Sequence, residues 1–169
     1  MPFVGIISKE NDSNFIKNAV NKNSKENNFE IININKKSLE NIKNVKFDIL
    51  VICENIENMI KNSLYLEEII KKANYIIINS DVKENLAILK NAETNIITYG
   101  FNAKSTITIS SIKEEKIMIC IQRKISGVKN VIEEQDFNIE IEKNNANKLY
   151  NILVIFTILA IYGEILQKI

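Results

Sequence analysis

The sequence predicts an α/β fold: a mainly parallel sheet with flanking helices, followed by an antiparallel β segment and a C-terminal apolar helix. Three observations predict it. Short apolar runs alternate with segments of helical spacing through residues 1–100, the pattern of crossover connections in a parallel sheet. Residues 101–143 switch to polar/apolar alternation broken by turn-like clusters, which is the pattern of antiparallel strands with one wet face. Residues 144–169 hold the most apolar stretch of the chain. No repeat or linker interrupts these parts and the only proline is Pro2, so residues 1–169 read as one domain.

The elements follow in order. Residues 3–8 form a first strand bounded by polar residues, and residues 14–23 a helix with Phe15, Ile16, Ala19 and Val20 on one side. Residues 29–33 are a second strand, and residues 47–53 a third that is apolar enough to be buried on both faces. A long helix over 56–73, a fourth strand over 75–79, a short helix over 82–91 and a fifth strand over 95–100 complete the parallel part. Beyond it, residues 106–109 alternate, residues 113–116 turn, and residues 117–122 return as a strand. Residues 131–133 and 137–142 are further strands, and a helix runs from about 145 to 167.

Composition excludes several function classes. The net charge is +1 and Arg123 is the only arginine, so the basic face of a nucleic-acid binder is missing. The richness in Ile, Asn and Lys resembles the codon bias of an AT-rich bacterial genome and says little about function. Cys53 and Cys120 each lie inside an apolar run and read as buried free thiols. The apolar run at residues 3–7 is too short for a secretory signal. A reducing cytoplasm is the expected compartment.

The chain has no histidine, which removes the commonest general base, the commonest metal ligand and every Ser-His or Cys-His pair. Two separated cysteines without histidine make no zinc site. Gly5, Gly100, Gly127 and Gly163 are the only glycines, and no phosphate-binding glycine motif can be assembled from them. The acidic pairs Glu67-Glu68, Glu114-Glu115 and Glu133-Glu134 put their side chains in different directions and read as solvated surface. No cofactor and no metal site are expected.

The second half carries a resemblance. Tyr75-Ile76-Ile77-Ile78-Asn79-Ser80-Asp81 is similar to the strand and Asn-x-Asp-Asp turn of the central ATPase domain of Mur ligases. Ile96-Ile97-Thr98-Tyr99-Gly100-Phe101 resembles the next strand of that domain, which often ends in Thr-Tyr-Gly. The hairpins that follow, and Tyr150-Asn151 opening an apolar helix, resemble its β segment and its His-Asn-x-Tyr-Asn helix start. The pieces occur in the same order and at matching spacing over about residues 74–163, and more faintly at the N-terminus.

The departures bear on function. Where the family has a Gly-rich phosphate loop with Gly-Lys-Thr, this chain reads Ser8-Lys9-Glu10-Asn11-Asp12-Ser13-Asn14. No glycine is present to close backbone N–H groups on a phosphate, and Glu10 and Asp12 repel one. Val82 replaces the second Asp of the turn, and Asn147-Lys148 stand where the family has His-Asn. The family's N-terminal and C-terminal domains have no counterpart. The resemblance therefore implies a trimmed relative, with a degenerate phosphate loop, that has lost ATP hydrolysis and ligation.

Candidate ligand-binding residues are Asn79 and Asp81, at the C-terminal end of a parallel strand where open α/β sheets place their sites, together with Tyr150 and Asn151. Asp81 is also placed to cap a helix starting near Val82. The run Ile152–Tyr162 falls short of the roughly 20 apolar residues of a membrane span, so a membrane partner is not expected. The run is apolar around its whole circumference, so one face packs on the sheet and the opposite face needs a cover. A second copy is the expected cover, with Ile155, Leu159 and Tyr162 as interface residues of a homodimer. The leading expectation is a non-catalytic domain acting by protein–protein association. The alternatives are a small-ligand or nucleotide sensor without hydrolysis and, more weakly, a carboxylate enzyme using Mg²⁺.

Overall fold

The computed structural model describes residues 1–57, 59, 64–88 and 94–169. Its strands are β1 Phe3–Ile7, β2 Glu30–Asn33, β3 Ile49–Ile52, β4 Tyr75–Asn79, β5 Asn95–Tyr99, β6 Ile107–Lys113, β7 Lys116–Ile121, β8 Ile125–Ser126, β9 Val131–Ile132 and β10 Gln135–Glu140. Its helices are α1 Glu10–Asn23, α2 Leu39–Ile42, α3 Leu64–Lys72, α4 Lys83–Ile88 and α5 Leu149–Ile161. The expected helices over 56–73 and 82–91 overlap α3 and α4. Their residues 58, 60–63 and 89–91 lie outside the described residues.

Eight strands form one sheet in the order β10-β7-β6-β5-β4-β3-β1-β2. Every neighbouring pair from β2 to β6 is parallel, and β6, β7 and β10 are antiparallel. The order 2-1-3-4-5 is a doubly wound one, in which the connections reverse direction between β1 and β3. Side-chain alternation explains why the parallel strands are apolar throughout. Ile49, Val51 and Ile77 enter the core under α1 and α5, whereas Leu50, Ile52, Ile76 and Ile78 enter the core with Leu39, Leu66 and Ile69. Helices thus cover both faces, and both faces must be apolar. The antiparallel part is a continuation of this sheet. Its β6–β7 hairpin turns at Glu114-Glu115, as the spacing predicts. The strands β8 and β9 pair apart from it.

The C-terminal helix is shorter than expected. It spans 13 residues, about 20 Å at 1.5 Å per residue, and no helix of the described residues is long and apolar enough to cross a membrane. It stops because Gly163 takes φ +78°. Gly163 N–H donates to Ala160 O at 2.8 Å and Glu164 N–H to Leu159 O at 2.9 Å. These two bonds are a Schellman cap, which needs a residue tolerant of the left-handed region. Residues 164–167, expected to continue the helix, instead belong to a tail that passes beside β10. Glu140 N–H donates to Gln167 O and Ile169 N–H to Glu140 O, both at 2.9 Å.

The expected cover for α5 is also corrected. Ile155 and Leu159 are 0 % exposed and Tyr162 is 8 % exposed within the single chain, so none of them presents an interface. One side of α5 lies on the sheet, where Phe156 meets Phe137 with ring centroids 5.1 Å apart. Elsewhere it packs among Ile16, Ala19 and Val20 of α1 and Leu166 and Ile169 of the tail. Phe29 meets Tyr162 edge to face at 5.1 Å. The β8–β9 hairpin seals the C-terminal end, with Val128 N–H donating to Ile161 O at 2.7 Å. The apolar circumference predicts complete burial. The chain achieves it alone because α1, the tail and the hairpin converge on the helix.

Candidate functional site

The C-terminal ends of the parallel strands gather the polar residues that the sequence singles out. Asn79 ends β4, and its side-chain oxygen accepts Asp81 N–H at 2.9 Å, an Asx turn that fixes the chain as it leaves the strand. Ser80 ties this turn to β5 through its N–H to Tyr99 O at 2.9 Å. Its hydroxyl lies 2.7 Å from the Ser105 hydroxyl.

Asp81 is the hub. One carboxylate oxygen accepts Phe101 N–H at 2.8 Å and the Tyr150 hydroxyl at 2.9 Å. The other accepts the Asn102 side-chain amide at 2.7 Å and Asn102 N–H at 3.3 Å. Burial works to raise the pKa of this carboxyl, but the bonds from Phe101, Asn102 and Tyr150 outweigh it and hold the group below the usual carboxylate range. The expected helix cap is not made, because α4 begins at Lys83 and the carboxylate turns away toward the loop after β5. Asp81 is a tie between β4, β5 and α5, with its acceptor positions occupied from within the chain.

The neighbouring strand ends are also closed. Asn85 of α4 is 0 % exposed. It accepts Ile56 N–H at 3.0 Å and donates to Glu54 O at 2.6 Å, stitching the loop after β3 to α4. Burial pushes the Cys53 thiol up to about 12, so it is not a thiolate nucleophile near neutral pH. The Tyr99 hydroxyl beside it is buried without a well-formed hydrogen bond, and burial raises its pKa as well.

The turn after β1 has no phosphate cradle. Only Ser8 and Lys9 separate Ile7 from Glu10, the first residue of α1, so residues 10–13, expected in a loop, are already helical. The N–H groups of Asp12 and Ser13 both donate to Lys9 O at 3.0 Å. Glu10 and Asp12 lie in the first helical turn, where their charge complements the positive end of the helix dipole. Asn151 donates to Asp12 at 2.7 Å, which locks this turn to α5.

Of the four predicted ligand residues, Asn79, Asp81 and Tyr150 converge on one corner, while Asn151 points to Asp12. Sequence reasoning missed Asn102, which contributes two of the bonds to Asp81. Its place just after Gly100-Phe101, at the end of a parallel strand, is the signal that was available. It also missed Asn85, whose role depends on a contact 29 residues back in the chain. Among the described residues no group of three or more acidic or cysteine side chains is placed to hold a metal ion. No protein-family model matches the chain, and no curated protein matches it in sequence.

Proposed function

We propose that this chain is a catalytically silent relative of the Mur ligase central domain, bacterial and cytoplasmic, that acts by associating with protein, first with a second copy of itself. The observation that carries the silent reading is the saturation of Asp81 by Phe101, Asn102 and Tyr150. A carboxylate whose acceptor positions are filled by its own fold has little left with which to hold a nucleotide or a metal. The positive end of α1, the other natural phosphate site, is complemented by Glu10 and Asp12.

The same corner supports the association reading. Phe101 and Tyr150 meet edge to face at 4.9 Å, 87° apart, and remain 42 % and 40 % exposed. Exposed aromatic side chains held rigid are the commonest anchors of protein interfaces. The sheet edges favour association less. β2 is four residues long, and β10 exposes Gln135, Asp136 and Asn138 and is partly paired with the tail, both usual ways of blunting an edge. The ligand-sensor alternative gains nothing at Asp81, for the reason just given.

Sedimentation velocity over a concentration series tests the proposal. A dimer that Phe101→Ser converts to a folded monomer is the expected result. A monomer at every concentration overturns self-association. ATP hydrolysis above background that is lost in Asp81→Ala overturns the silent reading.

A further inference from the structure

We propose that a pocket beside β5, separate from the Asp81 corner and independent of the reading above, binds a small anion: a carboxylate or phosphate group carrying at most a short apolar portion. The sheet is incomplete at this place. β5 and β6 share a single pair, Tyr99 with Ile107, so β6 begins where β5 ends. Backbone groups alternate in direction along a parallel strand. Tyr99 O accepts Ser80 N–H on the β4 side, and Gly100 N–H reaches Ile107 O at 3.2 Å on the β6 side. By this alternation the backbone of Ile96 faces the β6 side, where no described strand continues the ladder. The segment following β7 passes the gap instead and leaves a pocket of about 220 Å³.

The lining of the pocket has one sign of charge. Among the described residues Arg123 and Lys124 are its only charged ones, with Ser126 contributing a hydroxyl and Ile97 and Ile125, which share one core, an apolar floor. Arg123 is the only arginine of the chain. One of its N–H groups donates to Lys104 O, and a guanidinium carries further N–H donors that an anion can take. The guanidinium fork matches the two oxygens of a carboxylate or phosphate. A low-dielectric floor beneath two cations strengthens their attraction for an anion relative to open water. The volume sets the size of the ligand. It lies below the roughly 300–1,000 Å³ of sites for drug-sized molecules, and it accommodates a phosphate or a two- to four-carbon acid.

Nitrogen-15 amide spectra of the intact chain test this. The protein is titrated with sodium phosphate, acetate and propionate in separate arms, with ionic strength held constant by sodium chloride. The expected result is saturable shifts confined to Ile96, Ile97, Ser126 and their neighbours, at millimolar ligand. Propionate binds more tightly than acetate if the apolar floor takes part, and saturation by phosphate alone assigns the site to a phosphate group. Arg123→Gln weakens binding by at least about tenfold. Lys124→Gln, the second variant, weakens it less, and Lys17→Gln on α1 leaves it unchanged. Shifts that do not saturate, that scatter over surface lysines, or that are the same in Arg123→Gln and Lys17→Gln overturn the assignment.

Discussion

The Asp81 carboxylate occupies the space that a side chain on Gly100 would need. A β-carbon built on Gly100 falls 2.8 Å from one carboxylate oxygen and 2.9 Å from the other and from the carboxyl carbon. The glycine that ends one strand segment and the aspartate that leaves the neighbouring one are therefore a matched pair. Gly100→Ala forces the carboxylate away from Phe101 N–H and Asn102. The expected cost is about 1–3 kcal/mol of stability, the usual range for overpacking, read as a lower urea midpoint. In a double-mutant cycle, Gly100→Ala costs less in an Asp81→Ser background than in the wild type. Equal costs in both backgrounds show that the two residues are not coupled.

Glu164 is a second carboxylate bound by its own chain. It accepts the Ser24 hydroxyl at 2.8 Å, Lys25 N–H at 2.5 Å and the Asn27 side-chain amide at 2.7 Å. Burial works to raise its pKa, and these bonds outweigh the effect and hold the group below the usual carboxylate range. Asp81 is shifted in the same direction. For a carboxyl depressed in the folded state, the stabilisation is complete above its unfolded pKa, near 4. It is lost as pH falls through the folded value. Stability is therefore expected to decline on acidification below about pH 5, where both groups begin to take up protons in the unfolded state. Glu164→Gln costs about 1–3 kcal/mol at neutral pH and flattens that decline. Urea titrations at pH 7, 5 and 3.5 check both outcomes.

The parts of the fold legible in the sequence are those where one constraint acts. Ile49–Ile52 read as a strand buried on both faces because helices cover both sides of the parallel sheet, leaving no position for a polar residue. The strand ends at Asn79 and Gly100 were legible for the complementary reason, since polar and glycine residues mark where the chain leaves the sheet. The donors around Asp81 were not, because two of them are backbone N–H groups, which every non-proline residue carries. The cover over α5 was not legible either. An apolar circumference demands burial but does not say whether α1, a hairpin or a second chain supplies it.

The end of α5 was misplaced because Ile165, Leu166 and Ile169 carry its apolar character on past the helix. Gly163 is the stop signal, and it is testable. At φ +78° an alanine is strained, although the space around it is open, the nearest atom to its β-carbon being Lys129 Cδ at 3.8 Å. Gly163→Ala is expected to lower stability by about 1 kcal/mol from backbone conformation alone, with Gly163→Asn less costly because asparagine tolerates that region better. Thermal melts of the two variants rank them.

Leu159 separates a core residue from an interface residue. It is 0 % exposed in the single chain and belongs to the same core as Ile16 and Val20. Leu159→Ala leaves a cavity there and is expected to cost about 2–5 kcal/mol. The loss should not depend on protein concentration, because the packing is within one chain. A helix buried by a second copy behaves differently, since its apparent stability rises with protomer concentration through mass action. Unfolding of Leu159→Ala and wild type at 1 µM and 100 µM distinguishes the two, and a gap between them that widens with concentration returns α5 to an interface.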